Sequence, residues 1–203
     1  MVLSHVWIYD ILILKFVVSI TDTVNNRYYH DDNEVTHMTR RELEVTDLAK
    51  ILEILDKSKV THIGLVDDGM PYIVPMNYGY IMEDGKLTLI LHCAVKGYKL
   101  EVIAKNPVCC FEMECDVVPF EGRVPCQYGT AYSSLMGRGT IEVVEDVQEK
   151  IRLMTIFMKT QVGKDFEFNE KLVSIVTMLK VNVDEYTAKE RPLPAVLRMD
   201  CKE

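Results

Sequence analysis

Between residues 71 and 99 the chain reads Pro-Tyr-Ile-Val-Pro-Met-Asn-Tyr-Gly, turns at Asp84-Gly85, and continues into Leu-His-Cys-Ala-Val-Lys-Gly-Tyr-Lys. The second half is an apolar strand that runs into a small-residue turn, with a basic residue where a helix begins. Such a turn can hold a phosphate against backbone N–H groups, with Lys99 as the countercharge. His92 at the strand end could donate a hydrogen bond or a proton to a bound ligand. The plainer alternative is a histidine that only shapes the turn. His62 reads as a satisfied core or interface histidine, and Met154 and Met158, at helical spacing, as core. No Ser-His-Asp order, P-loop or metal triad emerges, so hydrolase and kinase chemistry have no support.

These residues need elements to hold them. Thr46 can cap a helix with Leu48, Ile51, Leu52 and Leu55 on one face. A period of two then takes over: a strand from Val60 to Val66, a turn at Asp68-Gly69, and a partner from Tyr72 to Tyr80. The Asp84-Gly85 turn leads into a strand over Lys86 to His92. A short helix over Lys96 to Lys105 should bury Leu100 and Ile103, with Asn106-Pro107 as its stop. Val108 to Glu114 reads as a strand and Asp116 to Pro125 as a long connection. Tyr128 to Val144 is a strand pair or one bent strand, in which Gly137 and Gly139 mark a bulge or a close backbone approach. Val147 to Thr160 is helical, with Ile151, Met154 and Met158 on its apolar face. Val173 to Val183 is the last strand, and the tail from Lys189 reads as loose. Antiparallel hairpins with helices at the ends and at one crossover predict a mainly β, α+β fold, a small barrel rather than a doubly wound sheet.

The 203 residues fit one domain with additions, and 48% are apolar, enough for a sizeable core. A net charge of −8 without a basic stripe argues against nucleic-acid binding. None of the six cysteines forms a Cys-x-x-Cys pair, so reduced, mostly buried thiols in a cytoplasmic protein are expected. Residues 6 to 20 are apolar but carry Asp10 and Lys15, which speaks against a membrane span. Thr21 to His37 is polar and reads as a linker. Residues 1–37 are therefore expected to be an extension outside the fold, 38–191 the domain, and 192–203 a loose tail.

From about Met38 to Arg191 the chain resembles the flavin-binding proteins related to pyridoxamine 5′-phosphate oxidase, and within them the branch of nitroimidazole-resistance proteins. The matching pieces occur in order. They are Arg41-Glu-Leu, Gly64 to Tyr78, His92 to Lys99, Asn106-Pro107 before Phe111-Glu-Met, Tyr132-Ser-Ser-Leu-Met-Gly-Arg-Gly, and Tyr186-Thr-Ala-Lys. The resemblance implies an FMN-binding split β-barrel homodimer, with a flavin (FMN, or FAD) in each of two clefts between subunits. Val74, Pro75, Met76, Asn77 and Tyr78 would line the ring. His92, Cys93, Ala94, Gly97 and Lys99 would form the turn at the ribityl-phosphate end, with His92 also the candidate catalytic group. Tyr132 and Ser134 would contribute to the cleft and the subunit contact. The activity implied is flavin-dependent oxidoreduction, with NAD(P)H or another donor charging the flavin and a small aromatic or nitro-aromatic compound as acceptor. A non-catalytic flavin- or haem-binding protein and a pyridoxamine phosphate oxidase are the alternatives. The chain departs from the family at Ser133, where an arginine is usual, at Arg138, where an aromatic is common, and at Ala188, where glycine is common.

Overall fold

A computed structural model of the chain describes residues 40–195. A 3-10 turn at Arg41–Leu43 leads into β1 (Glu44–Val45) and then α1 (Leu48–Lys57). Asp47, not Thr46, caps α1: its carboxylate accepts from the Ala49 N–H at 3.2 Å. Both residue types can cap a helix, and the acid has the added attraction of the helix dipole. The hairpin β2 (Val60–Asp67) and β3 (Met70–Asn77) follows, then β4 (Gly79–Glu83) and β5 (Lys86–Ala94). Asp68-Gly69 and Asp84-Gly85 close the two hairpins with positive φ at all four residues, the conformation in which a two-residue turn matches the strand twist.

After β5 come α2 (Tyr98–Lys105), β6 (Val108–Phe120), β7 (Gly129–Val144), α3 (Val147–Val162), the single turn α4 (Glu170–Val173) and β8 (Val176–Arg191). All strand pairs are antiparallel, in the order β3-β2-β6-β7-β8-β5-β4, with β1 added against β8. Although β3 is an edge strand and β5 lies near the opposite edge, the two touch. The sheet therefore curls round without closing, which makes a split β-barrel with flanking helices.

The barrel interior is filled by Ile63, Leu89, Leu91, Phe111, Met113, Leu179 and Val181, and α1 plugs it with Ile54 and Leu55. The opposite face of β5 is covered as well: Ile90 packs with Met178, Val144 and the α3 residues Leu153, Met154 and Phe157. A strand buried on both faces is held rigidly, and β5 is the strand that carries His92.

Several expectations are corrected. The β3 strand ends at Asn77, because the chain turns at Tyr78 to start β4. In α2 the fully buried residues are Val102 and Ile103, while Leu100 is half-buried. In α3 they are Leu153, Met154 and Phe157, while Ile151 and Met158 are half-buried. The stretch expected as a connection after Glu114 is mostly strand: β6 crosses a bulge between Cys115 and Val118, with Asp116 at φ 53°, and pairs as far as Phe120 with Gly129. The β7 segment is one continuous strand, with the expected irregularity between Arg138 and Gly139 in its register with β8, and Gly137 and Gly139 also mark close approaches. A Cβ at Gly139 would lie 2.2 Å from the Asn182 carbonyl oxygen. The tail is ordered as far as Arg191, since Lys189 pairs with both Glu44 and Ser134. The five described cysteines are free, but only Cys109 is fully buried, where loss of solvent pushes its thiol up to about 12. The readings of residues 1–37 and of the last residues lie outside the described residues. Among the described residues no helix is long and apolar enough to cross a membrane.

Candidate functional site

The end of β5 and the start of α2 hold the group of polar atoms best placed for a ligand. His92 sits on the α3 side of β5, opposite Met178 of β8, with its ring edge-on to Phe157 at 4.6 Å. Its Nδ1 atom is buried and has no hydrogen-bond partner, a costly state for a polar atom unless something else supplies the bond. Burial, and then the nearby Lys99 ammonium, hold the imidazole below its ordinary range, so the neutral ring is favoured. The Cys93 thiol is raised by burial, with Lys99 acting in the opposite direction. Lys99 is thus close enough to be felt by both neighbours, yet it makes no ion pair or hydrogen bond among the described residues.

The turn between them is open. Gly97 has φ 153° and a Cβ there would meet nothing within 4 Å, so glycine serves the backbone conformation and leaves space above it. Gly97 caps α2 by accepting from the Leu100 N–H at 2.9 Å. The N–H groups ahead of Leu100 in that turn have no intrahelical partner. What fixes α2 is the tip of the β2–β3 hairpin. The Tyr98 hydroxyl donates to the Asp67 carboxylate, the Tyr98 ring meets Tyr72 edge-on at 5.3 Å, and Lys105 reaches Asp67 at 3.2 Å and Asp68 at 3.3 Å. The sequence reading assigns Asp68 to a turn and Tyr72 to a strand, but gives neither these anchoring contacts nor the place of Phe157 behind His92. Tyr98 stands inside the Lys-Gly-Tyr-Lys stretch, but its role depends on a hairpin some thirty residues earlier, which only the fold reveals.

The β3 candidates divide by strand alternation. Pro75 and Asn77 face outward, Val74 packs against the barrel core, and Met76 is buried in it. Tyr78 is 0% exposed. Its hydroxyl donates to the carbonyls of Leu55 at 2.7 Å and Ser58 at 3.1 Å, and its own carbonyl accepts from Gln161 at 2.7 Å. Desolvation raises its pKa strongly. Tyr78 is a strut between α1 and the barrel, and Met76 is core; neither presents a side chain to a ligand. Asn77 donates to the Lys59 carbonyl at 3.0 Å, which leaves it solvent-facing but partly engaged. Ala94 is exposed beside the turn.

Tyr132 and Ser134 lie elsewhere. Ser134 of β7 pairs with Lys189 of β8, whereas His92 pairs with Met178 of the same strand. Lys189 is eleven residues beyond Met178 (189 minus 178), roughly 35 Å of extended chain. One copy of the chain therefore does not bring the β7 candidates to the β5–α2 turn.

The open sheet with its flanking helices defines a split β-barrel. The chain belongs to the pyridoxamine 5′-phosphate oxidase family: the family's model matches residues 47–190. Among solved structures, one of a putative 5-nitroimidazole antibiotic resistance protein from Bacteroides thetaiotaomicron is 31% identical, with 73% of this chain and 86% of that one covered and a TM-score of 0.63. The flavocytochrome Anf3 from Azotobacter vinelandii has a TM-score of 0.64 at 17% identity, over 84% of this chain and 81% of that one. The FAD- and haem-binding protein from Mycobacterium smegmatis has a TM-score of 0.60 at 18% identity, covering 79% and 80%. No curated protein matches the chain.

Proposed function

We propose that this protein is a flavin-dependent oxidoreductase acting as a homodimer, with FMN in each of two clefts to which both chains contribute. The observation that carries this reading is the β5–α2 turn. A buried, unpartnered imidazole nitrogen, an uncommitted lysine and a glycine-opened helix start stand together there, and family membership gives them a flavin to hold. Lys99 and the first-turn N–H groups of α2 would take the phosphate. His92 would offer its ring at the other end of the turn. The bound flavin would supply the redox chemistry, accepting electrons from a nicotinamide or similar donor and passing them on. The chain itself binds and orients the cofactor, and the neutral His92 can hold a hydrogen bond to whatever lies beside it.

The separation of Tyr132 and Ser134 from this turn supports a two-chain site, since a second copy could supply the β7 elements that the first cannot. The acceptor we favour is a small aromatic or nitro-aromatic compound, on the strength of the 31% identical resistance protein. A reducing, cytoplasmic setting suits the free thiols.

The test uses one mutant and two ligands. Lys99→Ala removes a charge-assisted contact of roughly 1.5–3 kcal/mol, about a ten- to hundredfold loss of FMN affinity, while riboflavin, which has no phosphate, should bind as before. Equal FMN binding by mutant and parent would place the phosphate elsewhere. Bleaching of the flavin band by NAD(P)H, measured on the same samples, separates an enzyme from a passive binder, and sedimentation of the loaded protein reports the dimer.

A further inference from the structure

On the outward face of the sheet, away from the β5–α2 turn, His62 of β2 stands directly opposite Glu112 of β6, and Glu114 follows two residues later on the same face. We propose that His62, Glu112 and Glu114 form a binding site for a single divalent late-transition-metal ion of the zinc class. This inference is independent of the flavin reading.

The first argument is the donor geometry. His62 Nδ1 lies 3.4 Å from Glu112 Oε2 and 4.0 Å from Glu114 Oε2, and the three ligand atoms all fall within 4.8 Å of one another. A charge-assisted hydrogen bond would draw nitrogen and oxygen to about 2.7–2.9 Å. Ligands at about 2.1 Å from a shared ion stand roughly 3.0–3.4 Å apart along the edges of an octahedron or tetrahedron. The observed spacing is therefore closer to a coordination edge than to a direct bond, and small side-chain rotations bring the third donor in.

The second argument is charge. Neither Glu112 nor Glu114 has a lysine or arginine partner among the described ion pairs. The lysines that border the adjoining cleft are engaged elsewhere. Lys57 holds Glu53 and Asp116, each at 2.7 Å, and Lys59 donates to the carbonyls of Asp56 at 2.7 Å and Thr160 at 3.2 Å. Two carboxylates side by side with one imidazole between the strands leave net negative charge that a cation would neutralise.

The third argument is preorganisation and access. Two of the donors are fixed by a strand register rather than by loops. All three are partly exposed, at 40–44% of their side-chain surface, so a hydrated ion can enter and keep water in its remaining positions. The cleft beside them, about 510 Å³, is lined by His62 and Glu114. An imidazole with two carboxylates suits zinc, cobalt, nickel or manganese, whereas magnesium and calcium prefer oxygen ligands throughout.

The experiment titrates untagged, chelator-treated full-length protein with Zn²⁺ by calorimetry, with Mg²⁺ as the comparison, and repeats it with Co²⁺ followed by absorbance. One Zn²⁺ per chain is expected, bound far more tightly than Mg²⁺. His62→Gln, Glu112→Gln and Glu114→Gln should each weaken it about ten- to hundredfold, with far-UV circular dichroism unchanged. Cobalt should give visible d–d bands without the near-ultraviolet thiolate band. No saturable Zn²⁺ binding overturns the assignment. So does binding that survives in both His62→Gln and Glu114→Gln, or a thiolate-to-cobalt band, which would put the ion on a cysteine.

Discussion

At the corner between β3 and β4, both the hydroxyl and the carbonyl of Tyr78 have protein partners. At the turn between β5 and α2, the buried Nδ1 of His92 has none. The two regions come from neighbouring stretches of sequence that read equally well as ligand contacts. Their difference lies in how their polar atoms are used. A polar atom bonded within the fold is scaffold, while a buried one left without a protein partner is free to meet a water or a ligand.

The comparison can be broken most forcefully at Tyr78. Tyr78→Ala should cost about 3–5 kcal/mol of folding stability by urea unfolding. Tyr78→Phe, which strands the Leu55 and Ser58 carbonyls, should cost roughly 1–3 kcal/mol. The folded Tyr78→Phe protein should bind flavin as the parent does; a loss of cofactor at unchanged stability would make Tyr78 a ligand contact after all. Gly79→Ala comes next, since its Cβ would lie 2.6 Å from Phe157 Cα. Backbone has to move, at about 1–3 kcal/mol, and because Phe157 carries the His92 ring, flavin binding should weaken along with stability.

At the other region, mutation should leave the fold nearly untouched. Lys99→Ala should change unfolding stability by less than about 0.5 kcal/mol; a larger loss would make Lys99 structural. A pH titration sharpens the point. With the folded-state imidazole of His92 held below 6.5, its contribution is fully favourable above that value, where it is neutral in both states. It declines as pH falls, because the unfolded chain takes up the proton first. His92→Gln should flatten that part of the stability profile. Lys99→Ala should move the His92 titration upward, read from its imidazole NMR signals, and an unmoved titration would mean that the two groups do not sense each other. The smallest effect expected is none: deletion of residues 1–37 should leave flavin affinity as it was, since every candidate residue lies beyond them.

Local chemistry made part of this legible in the sequence. The Asp-Gly turns announce themselves because few residue pairs accept two successive positive φ values, and the strands between them follow from alternation. The end of β6 was hidden because Asp116-Val-Val-Pro reads as a loop; it is a strand only because Gly129 to Ala131 lie beside it across a bulge. The same holds at the chain's far end, where Lys189 owes its strand to partners on β1 and β7. In the candidate site, the turn from His92 to Lys99 could be read from residue types. The capture of the Tyr78 hydroxyl by α1 could not, and neither could the distance along β8 that separates Ser134 from His92. Both depend on pairings between segments remote in sequence.

The two prolines of β3 have a consequence for the protein in crowded solution. As an edge strand, β3 offers its outer side to any passing extended chain, the usual starting point for aggregation. Pro71 and Pro75 are four residues apart and share one side of the ladder, and a proline is tolerated in an edge strand only where its missing N–H points away from the partner. That places two gaps in the row of donors facing outward, at every second available position. A stray strand could not zip along β3, and two copies of this chain would have to meet through side chains rather than by continuing the sheet from that edge.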